Sequence, residues 1–268
     1  NGTKLNAIDE TSRANGSQWG GVRVYRAAEA DTVTASRPKF RRINLELEKL
    51  MGICYATDEN LQDAPQLESI IMLAFPNVMG WKMDNEAVRG SGAGEMLGVL
   101  NSPCLVSVAK ETGQTAATFV YENAVNMMAR FWPQSYPRST WYINQDVLPQ
   151  LMTMSLIIGT GGVPVFLPPG AASAAPFGTL LGRPIQPLEQ CSTLGTVGDV
   201  ILADPTQYVM IEKGGIQADS SMHVRFLYDE MAFRFIARND GEPLWSSALT
   251  PANGSNTQSP FVTVATRA

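Results

Sequence analysis

Charge is scarce in this sequence. Lys, Arg, Asp and Glu make up 17% of its 268 residues, against about 25% in a typical soluble domain. A free-standing domain of this size ordinarily presents more charge to water. The low share implies that much of the surface meets other protein; an ordinary low-charge monomer is the alternative. Basic charge is scarcer than acidic, with 20 Lys and Arg against 25 Asp and Glu and a formal net charge of -5. Binding nucleic acid by neutralising phosphates needs a basic face. The one local excess, Arg37, Lys39, Arg41 and Arg42, is followed at once by Glu46 and Glu48, so ion pairs within or between chains suit it better.

Histidine is nearly absent. A Ser–His–Asp or Cys–His device would have to use His223, which sits in a strand-like run with no nucleophile signature. The cysteines, Cys54, Cys104 and Cys191, are scattered and suit neither a disulfide framework nor a zinc site. They read as buried apolar residues in a reducing compartment. No run reaches the roughly 18 apolar residues of a membrane span, and none reads as a signal peptide. "GSGAGE" (90–95) lacks the third glycine of the dinucleotide fingerprint and follows a helical pattern where that motif follows a strand. Asp229 and Glu230 are adjacent, so on a strand their side chains face opposite sides and cannot act as a carboxylate pair. Enzymatic chemistry, metal ligands and cofactor-binding residues are all without a sequence signal.

What is present is a succession of short elements. Residues 1–19 are polar and aperiodic and read as an extended arm. "GVRVYRA" (21–27) can form a strand. "INLELEKL" (43–50) puts Ile43, Leu45 and Leu47 on one face of a second strand. The polar connection between them is too long for a tight turn, so the pair is expected to form a hairpin reaching away from the body.

Asp63 is a suitable N-cap and Pro65 lies where a first turn tolerates it. Leu67, Ile70, Ile71, Ala74, Val78 and Trp81 then recur at helical spacing. Over residues 63–88 such a helix would be about 39 Å long at 1.5 Å per residue. Pro76, with Gly80 behind it, predicts a kink; two helices divided at Pro76 is the alternative.

Residues 116–131 predict a helix with Val120, Ala124, Met127 or Met128, and Phe131 inward, closed by Pro133 and Pro137. "STWYIN" (139–144) reads as a strand, "QDVLPQLMTM" as a short helix, and 158–178 as a loop of small residues. "TLLGRPIQPLEQ" predicts a strand entering a turn. Two further strands are expected at 200–203 and 208–212. "SMHVRFLYDEMAFRFIARNDGEP" predicts one long strand, irregular near Glu230 and Met231, with "NDG" ending it as a turn.

The order of these pieces resembles the major capsid proteins of tailed bacteriophages with the HK97 fold. The resemblance rests on the arm and hairpin, "INLELEKL", "ATDENLQDAPQLESII", "RGSGAGEMLGVLN", "WYIN", "LLGRPIQPLE", "GDVILADPTQYVMI" and "HVRFLYDEMAFRFIARNDGEP". It covers nearly the whole chain. It implies an α+β fold with an N-terminal arm (1–19), an extended loop (20–49), a peripheral domain (50–105 and 209–240) with a long spine helix, and an axial domain (106–208 and 241–268).

The resemblance also implies a structural, non-catalytic subunit. Such subunits assemble as pentamers and hexamers into an icosahedral shell around double-stranded DNA, with a portal protein, in some cases a decoration or cementing protein, and no membrane. The shell is the virion capsid, assembled in the bacterial host cytoplasm. Many relatives lose an N-terminal scaffolding segment to a protease, which a chain beginning at Asn1 would fit.

On this reading Arg37, Lys39, Arg41, Arg42, Asp229 and Glu230 are subunit-contact candidates, and Pro76 and Gly80 mark the bend of the spine. Some relatives weld neighbouring subunits by a Lys–Asn isopeptide bond. Laid on that pattern, the Asn position falls near Phe226 and the Glu position near Phe233, and the hairpin offers only Lys39, so no crosslink is expected. Two other readings stand beside this one: an encapsulin-type compartment that packages enzyme cargo and, from a different class, a hydrolase or binding module.

Overall fold

A computed structural model describes residues 2–64, 66–158, 161–164 and 178–268. In chain order the first elements are β1 (Gly2–Ile8), β2 (Phe40–Glu46), β3 (Glu48–Thr57), α1 (Asp58–Asp63) and α2 (Gln66–Arg89). There follow β4 (Val106–Val108), α3 (Tyr121–Arg130), β5 (Thr140–Ile143), α4 (Leu148–Thr153), β6 (Ser155–Ile158), β7 (Gly161–Pro164), β8 (Thr179–Leu180) and β9 (Arg183–Pro187). The last are β10 (Val200–Ala203), β11 (Tyr208–Glu212), β12 (Gln217–Arg225), β13 (Glu230–Pro243) and β14 (Phe261–Val264). They divide into two compact units, one of Asn1–Leu5, Asn44–Gly98 and Val209–Glu242, the other of Asn6–Ile43, Val99–Tyr208 and Pro243–Ala268.

The first unit is a helix laid on a sheet. β13 is its axis: β3 pairs with it antiparallel from Glu230↔Thr57 to Asn239↔Glu48, and β12 pairs along its other edge. Alternation sends Phe233, Phe235 and Ala237 to one face, where Ile71 and Met79 of α2 cover them and Leu67, Phe75 and Met83 pack alongside. These five helical residues recur every four positions and so share one side of α2.

The expected stripe is therefore rotated. Leu67 and Ile71 face inward, but Ile70, Val78 and Trp81 are exposed. α2 has apolar residues on more than one side, and its sheet selects one of them. The helix runs uninterrupted through Pro76 and Gly80, so the two-helix alternative does not hold. Asp63 is not its cap: it is the last residue of α1, which Thr57 caps by accepting from the Asn60 N–H. Pro65 lies outside the described residues.

The second unit is built on a six-stranded sheet in the order β4-β14-β10-β5-β9-β8. "VILA" and "FVTV", its adjacent strands β10 and β14, are buried on both faces, which is why they read as continuous apolar runs instead of alternating ones. Trp141, Ile143, Val200, Leu202, Val262 and Val264 meet Ala124, Met127 and Phe131 from α3 and its C-cap and Val147 and Leu151 from the α4 region. The buried Trp141 ring donates Nε1–H to the Leu180 carbonyl at 3.0 Å. The short helix after "STWYIN" and the strands at 200–203 and 208–212 form as expected. "TLLGRPIQPLEQ" makes two short strands, β8 and β9. Within the predicted 158–178 loop, Gly161–Pro164 instead form β7, paired antiparallel with β6; most of the remainder lies outside the described residues.

Other expectations are corrected. Residues 21–27 form no strand: the loop has no continuous ladder, and Pro38 in its returning leg lacks an N–H to donate. The arm contains β1, which pairs with β2. "INLELEKL" straddles β2 and β3. The helix expected over 116–131 spans Tyr121–Arg130, with Val120 as its N-cap. The expected single strand near 222–243 is two antiparallel strands, reversing at Phe226–Tyr228 with Asp229 in the left-handed region at φ 53°. "NDG" does not end β13, which runs on to Pro243. Cys104 and Cys191 are buried as expected, whereas Cys54 is half-buried.

Candidate assembly surfaces

Of the expected extended loop (20–49), residues 43–49 lie in β2, β3 and their junction; the remainder, 20–42, is attached mainly at its base. The Lys39 N–H donates to the Gly20 carbonyl at 3.1 Å. The Arg23 N–H donates to Ser36 Oγ at 3.0 Å. The Asp31 N–H donates to the Ala28 carbonyl at 3.2 Å and turns the tip. Val24, Val33 and Phe40 stand exposed, Val24 at 93%, so the loop has apolar side chains but no core. It carries Arg23, Arg26, Arg37, Lys39, Arg41 and Arg42 against Glu29 and Asp31, a basic element in an acidic chain. Arg37, Lys39 and Arg42 are exposed. Arg41 is half-buried and donates Nη2–H to the Leu244 carbonyl at 2.6 Å.

The second surface is the end of the first unit where β12 turns into β13. Phe226, Leu227 and Tyr228 are 72%, 94% and 69% exposed. Arg225 stiffens the turn: its guanidinium lies 4.4 Å from the Tyr55 ring centroid and 5.5 Å from that of Tyr228, cation–π geometry. It also sits 3.5 Å from Glu230, so Glu230 already has a partner in its own chain. Asp229 is exposed, and its carbonyl accepts the Asp58 N–H at 3.0 Å. That contact brings α1, with Asp58, Glu59 and Asp63, to the same end. Acidic and apolar groups thus share one tip.

"GSGAGE" is a tight return, not a phosphate cradle. Gly90 and Gly98 are in such close backbone contact that a Cβ on either would overlap the other strand of the return. The Glu95 carboxylate accepts the Ser91 N–H and hydroxyl, each at 2.9 Å, and Lys82 lies 3.6 Å away. The Ser91 hydrogen bonds, with Lys82 behind them, hold the Glu95 carboxyl below the usual glutamate range.

His223 is exposed on β12. A groove of about 910 Å³ beside α3 and α4 is lined by Phe119, Tyr121, Glu122, Val125 and neighbours, with no His or Cys among them. Among the described residues no cluster of His, Cys, Asp and Glu could hold a metal ion, and no helix is long and apolar enough to cross a membrane.

The chain is thus a two-unit α+β protein with a tethered loop, a long helix on an antiparallel sheet and exposed apolar and charged surfaces. The profile of the phage capsid family matches residues 2–254, and the chain belongs to that family. It is a structural protein, a major capsid subunit with the HK97-type fold, and its place is the virion. Among solved structures it is similar to the capsid of a native GTA particle, at 14% identity and a TM-score of 0.75, covering 100% of this chain and 85% of that one. It is also similar to chains of Mycobacterium phage Adephagia (14% identity, TM-score 0.64, 98% of this chain and 84% of that one) and Microbacterium phage Oxtober96 (10%, 0.65, 98% and 86%). At these identities the likeness is one of fold. No curated protein matches the chain significantly.

Proposed function

We propose that copies of this chain join as pentamers and hexamers through heterologous contacts and close into an icosahedral shell around packaged double-stranded DNA. The family match over residues 2–254 carries the reading. The first compact unit, with α2 as spine, serves as the peripheral domain and the second as the axial domain. The loop lies on a neighbouring copy: its exposed apolar residues find no cover among the described residues of their own chain, and Arg37, Lys39 and Arg42 find few acids in their own segment. The acidic tip around Asp58, Glu59, Asp229 and Glu230 is the complementary surface. Each such contact is weak, and many acting together hold the shell. Pro76 and Gly80 let the spine bend to different local curvatures. A portal protein and a decoration or cementing protein complete the particle, which assembles in the host cytoplasm, and DNA is enclosed without sequence-specific binding.

Expression of the chain followed by electron microscopy tests this reading. Closed particles with five- and six-fold rings are expected. A species of 29.0 kDa as the sole product, with no particles from infected cells, overturns it. Boiling mature particles in detergent before gel electrophoresis tests the absence of a crosslink. One band at subunit mass is expected, whereas a ladder of covalent rings would require an acceptor other than the positions near Phe226.

A further inference from the structure

Asn–Gly pairs are chemically special. The Asn side-chain amide and the following backbone N–H can close a five-membered ring, and glycine leaves the approach open because it has no Cβ. Two such pairs lie wholly within the described residues, and the structure treats them oppositely. At Asn15–Gly16 both reacting groups are engaged. Asn15 Oδ1 accepts the Ser17 N–H at 3.1 Å and the Ser17 hydroxyl at 2.6 Å, and the Gly16 N–H donates to the Arg13 carbonyl at 2.9 Å. Ring closure there must first break these bonds.

At Asn253–Gly254 neither group is engaged. The pair sits in a loop whose feet are fixed: Leu249 and Gln258 exchange N–H···O bonds of 2.8 Å, and Arg130 clamps Thr257 through two bonds of 2.6 Å. Between the feet, Ala252–Asn256 are exposed. Among the described residues, no hydrogen bond holds the Asn253 side chain or the Gly254 N–H. Apart from Gly254 and its chain neighbours, no heavy atom of the described residues stands within 4 Å of where a Gly254 Cβ would be, and Gly254 lies at φ 98°, so open space surrounds the pair.

We propose that Asn253 is a self-modifying site, converting spontaneously to aspartate and isoaspartate while the protein stays folded. The Gly254 nitrogen, losing its proton, attacks Asn253 Cγ. The new C–N bond closes a succinimide as the Cγ–Nδ2 bond breaks, and Nδ2 leaves as ammonia carrying the proton that Gly254 lost. Water then opens the ring at either carbonyl, giving aspartate or isoaspartate. The sum is amide plus water to acid plus ammonia, with no oxidant or cofactor. Each conversion makes the formal net charge of -5 one unit more negative, because the new carboxyl ionises at about pH 4. A shell of many copies therefore gains negative charge with age.

The test is peptide mapping by mass spectrometry after incubating the folded protein at mildly alkaline pH in ¹⁸O-labelled water. Label from ring opening is expected at Asn253 on the order of tenfold faster than at Asn15, the ratio set by the hydrogen bonds that must open first at Asn15. The rate should rise with pH, since the attacking nitrogen is deprotonated. Gly254→Ala should slow conversion at Asn253, and denaturation should bring the two sites together. Ser17→Ala, which removes one clamp, should speed Asn15 alone. Equal rates at the two sites in the folded protein, or no label at Asn253 while the denatured chain converts readily, would overturn the proposal.

Discussion

The Phe75 ring lies flat against Phe235, with centroids 4.6 Å apart and planes 5° from parallel. Gly52 on β3 makes the room: a Cβ there would stand 2.8 Å from the Phe75 ring. One residue from each of helix, central strand and edge strand thus fixes how α2 lies on its sheet. Removing the inner ring with Phe235→Ala should cost about 3–5 kcal/mol, the range for a buried Phe. Gly52→Ala should cost about 1–3 kcal/mol, because Phe75 must leave its rotamer or its stack. Denaturant unfolding of the unassembled subunit checks both, and an unaffected midpoint for Gly52→Ala would mean that the ring shifts freely.

Arg267 is fully buried against an equally buried Asp199. Its Nε–H also donates to the Thr118 carbonyl at 2.6 Å, and Asp199 accepts the Gly195 and Val200 N–H groups at 2.9 and 2.8 Å. Arg267→Met leaves a buried carboxylate without its counter-charge and should cost about 3–5 kcal/mol. Adding Asp199→Leu should recover part of that loss, since a buried pair is replaced more cheaply than it is halved. A double variant no more stable than Arg267→Met would show that the hydrogen bonds, not the charge pairing, hold the segment.

Glu95 should make the 90–98 return sensitive to acid. Its carboxyl is held below the ordinary value of 4.5 by Ser91 and Lys82. A depressed folded pKa contributes stability that is present above pH 4.5 and is lost as pH falls through the lower folded value. Thermal melts of wild type should therefore fall on the acid side more steeply than those of Glu95→Gln. Parallel curves for the two proteins would remove Glu95 from the acid response.

The loop cations should matter to the shell and not to the subunit. Exposed ion pairs contribute roughly 0–1 kcal/mol each and weaken with salt. Replacing Arg37 and Arg42 together with Gln should lower particle stability at low salt and leave subunit unfolding unchanged. Particles of the double variant that match wild type at low salt would mean that Val24, Val33 and Phe40 hold the loop instead.

Pro76 removes one donor from the α2 ladder. Pro76→Ala should restore it and stiffen the helix, impairing shell closure while the circular dichroism of the subunit holds or rises slightly. Normal particles from this variant would assign any bend to packing.

Much of the architecture is legible in residue order alone. The short strands around Trp141, Val200 and Tyr208 lie between turn residues, and α3 has the expected period and ends before Pro133, because local propensity and neighbouring prolines agree there, although it starts at Tyr121 and not at 116. The acidic tip is only half legible. Asp229 and Glu230 stand out as charges, but that Phe226–Tyr228 reverse the chain is hidden, since three large apolar residues continue the strand pattern there and outweigh the one turn-tolerant residue, Asp229. Residues 21–27 look like a strand because their composition permits one; a strand also needs a partner, and its neighbours offer none. Helix α2 marks the boundary most clearly. Its spacing predicted a helix over 63–88 with a bend at Pro76, and one helix, Gln66–Arg89, forms there. Which flank it buries was decided only by the tertiary structure, because Phe75 meets Phe235 over Gly52, and contacts between residues far apart in sequence outweigh a pattern that is apolar on more than one side.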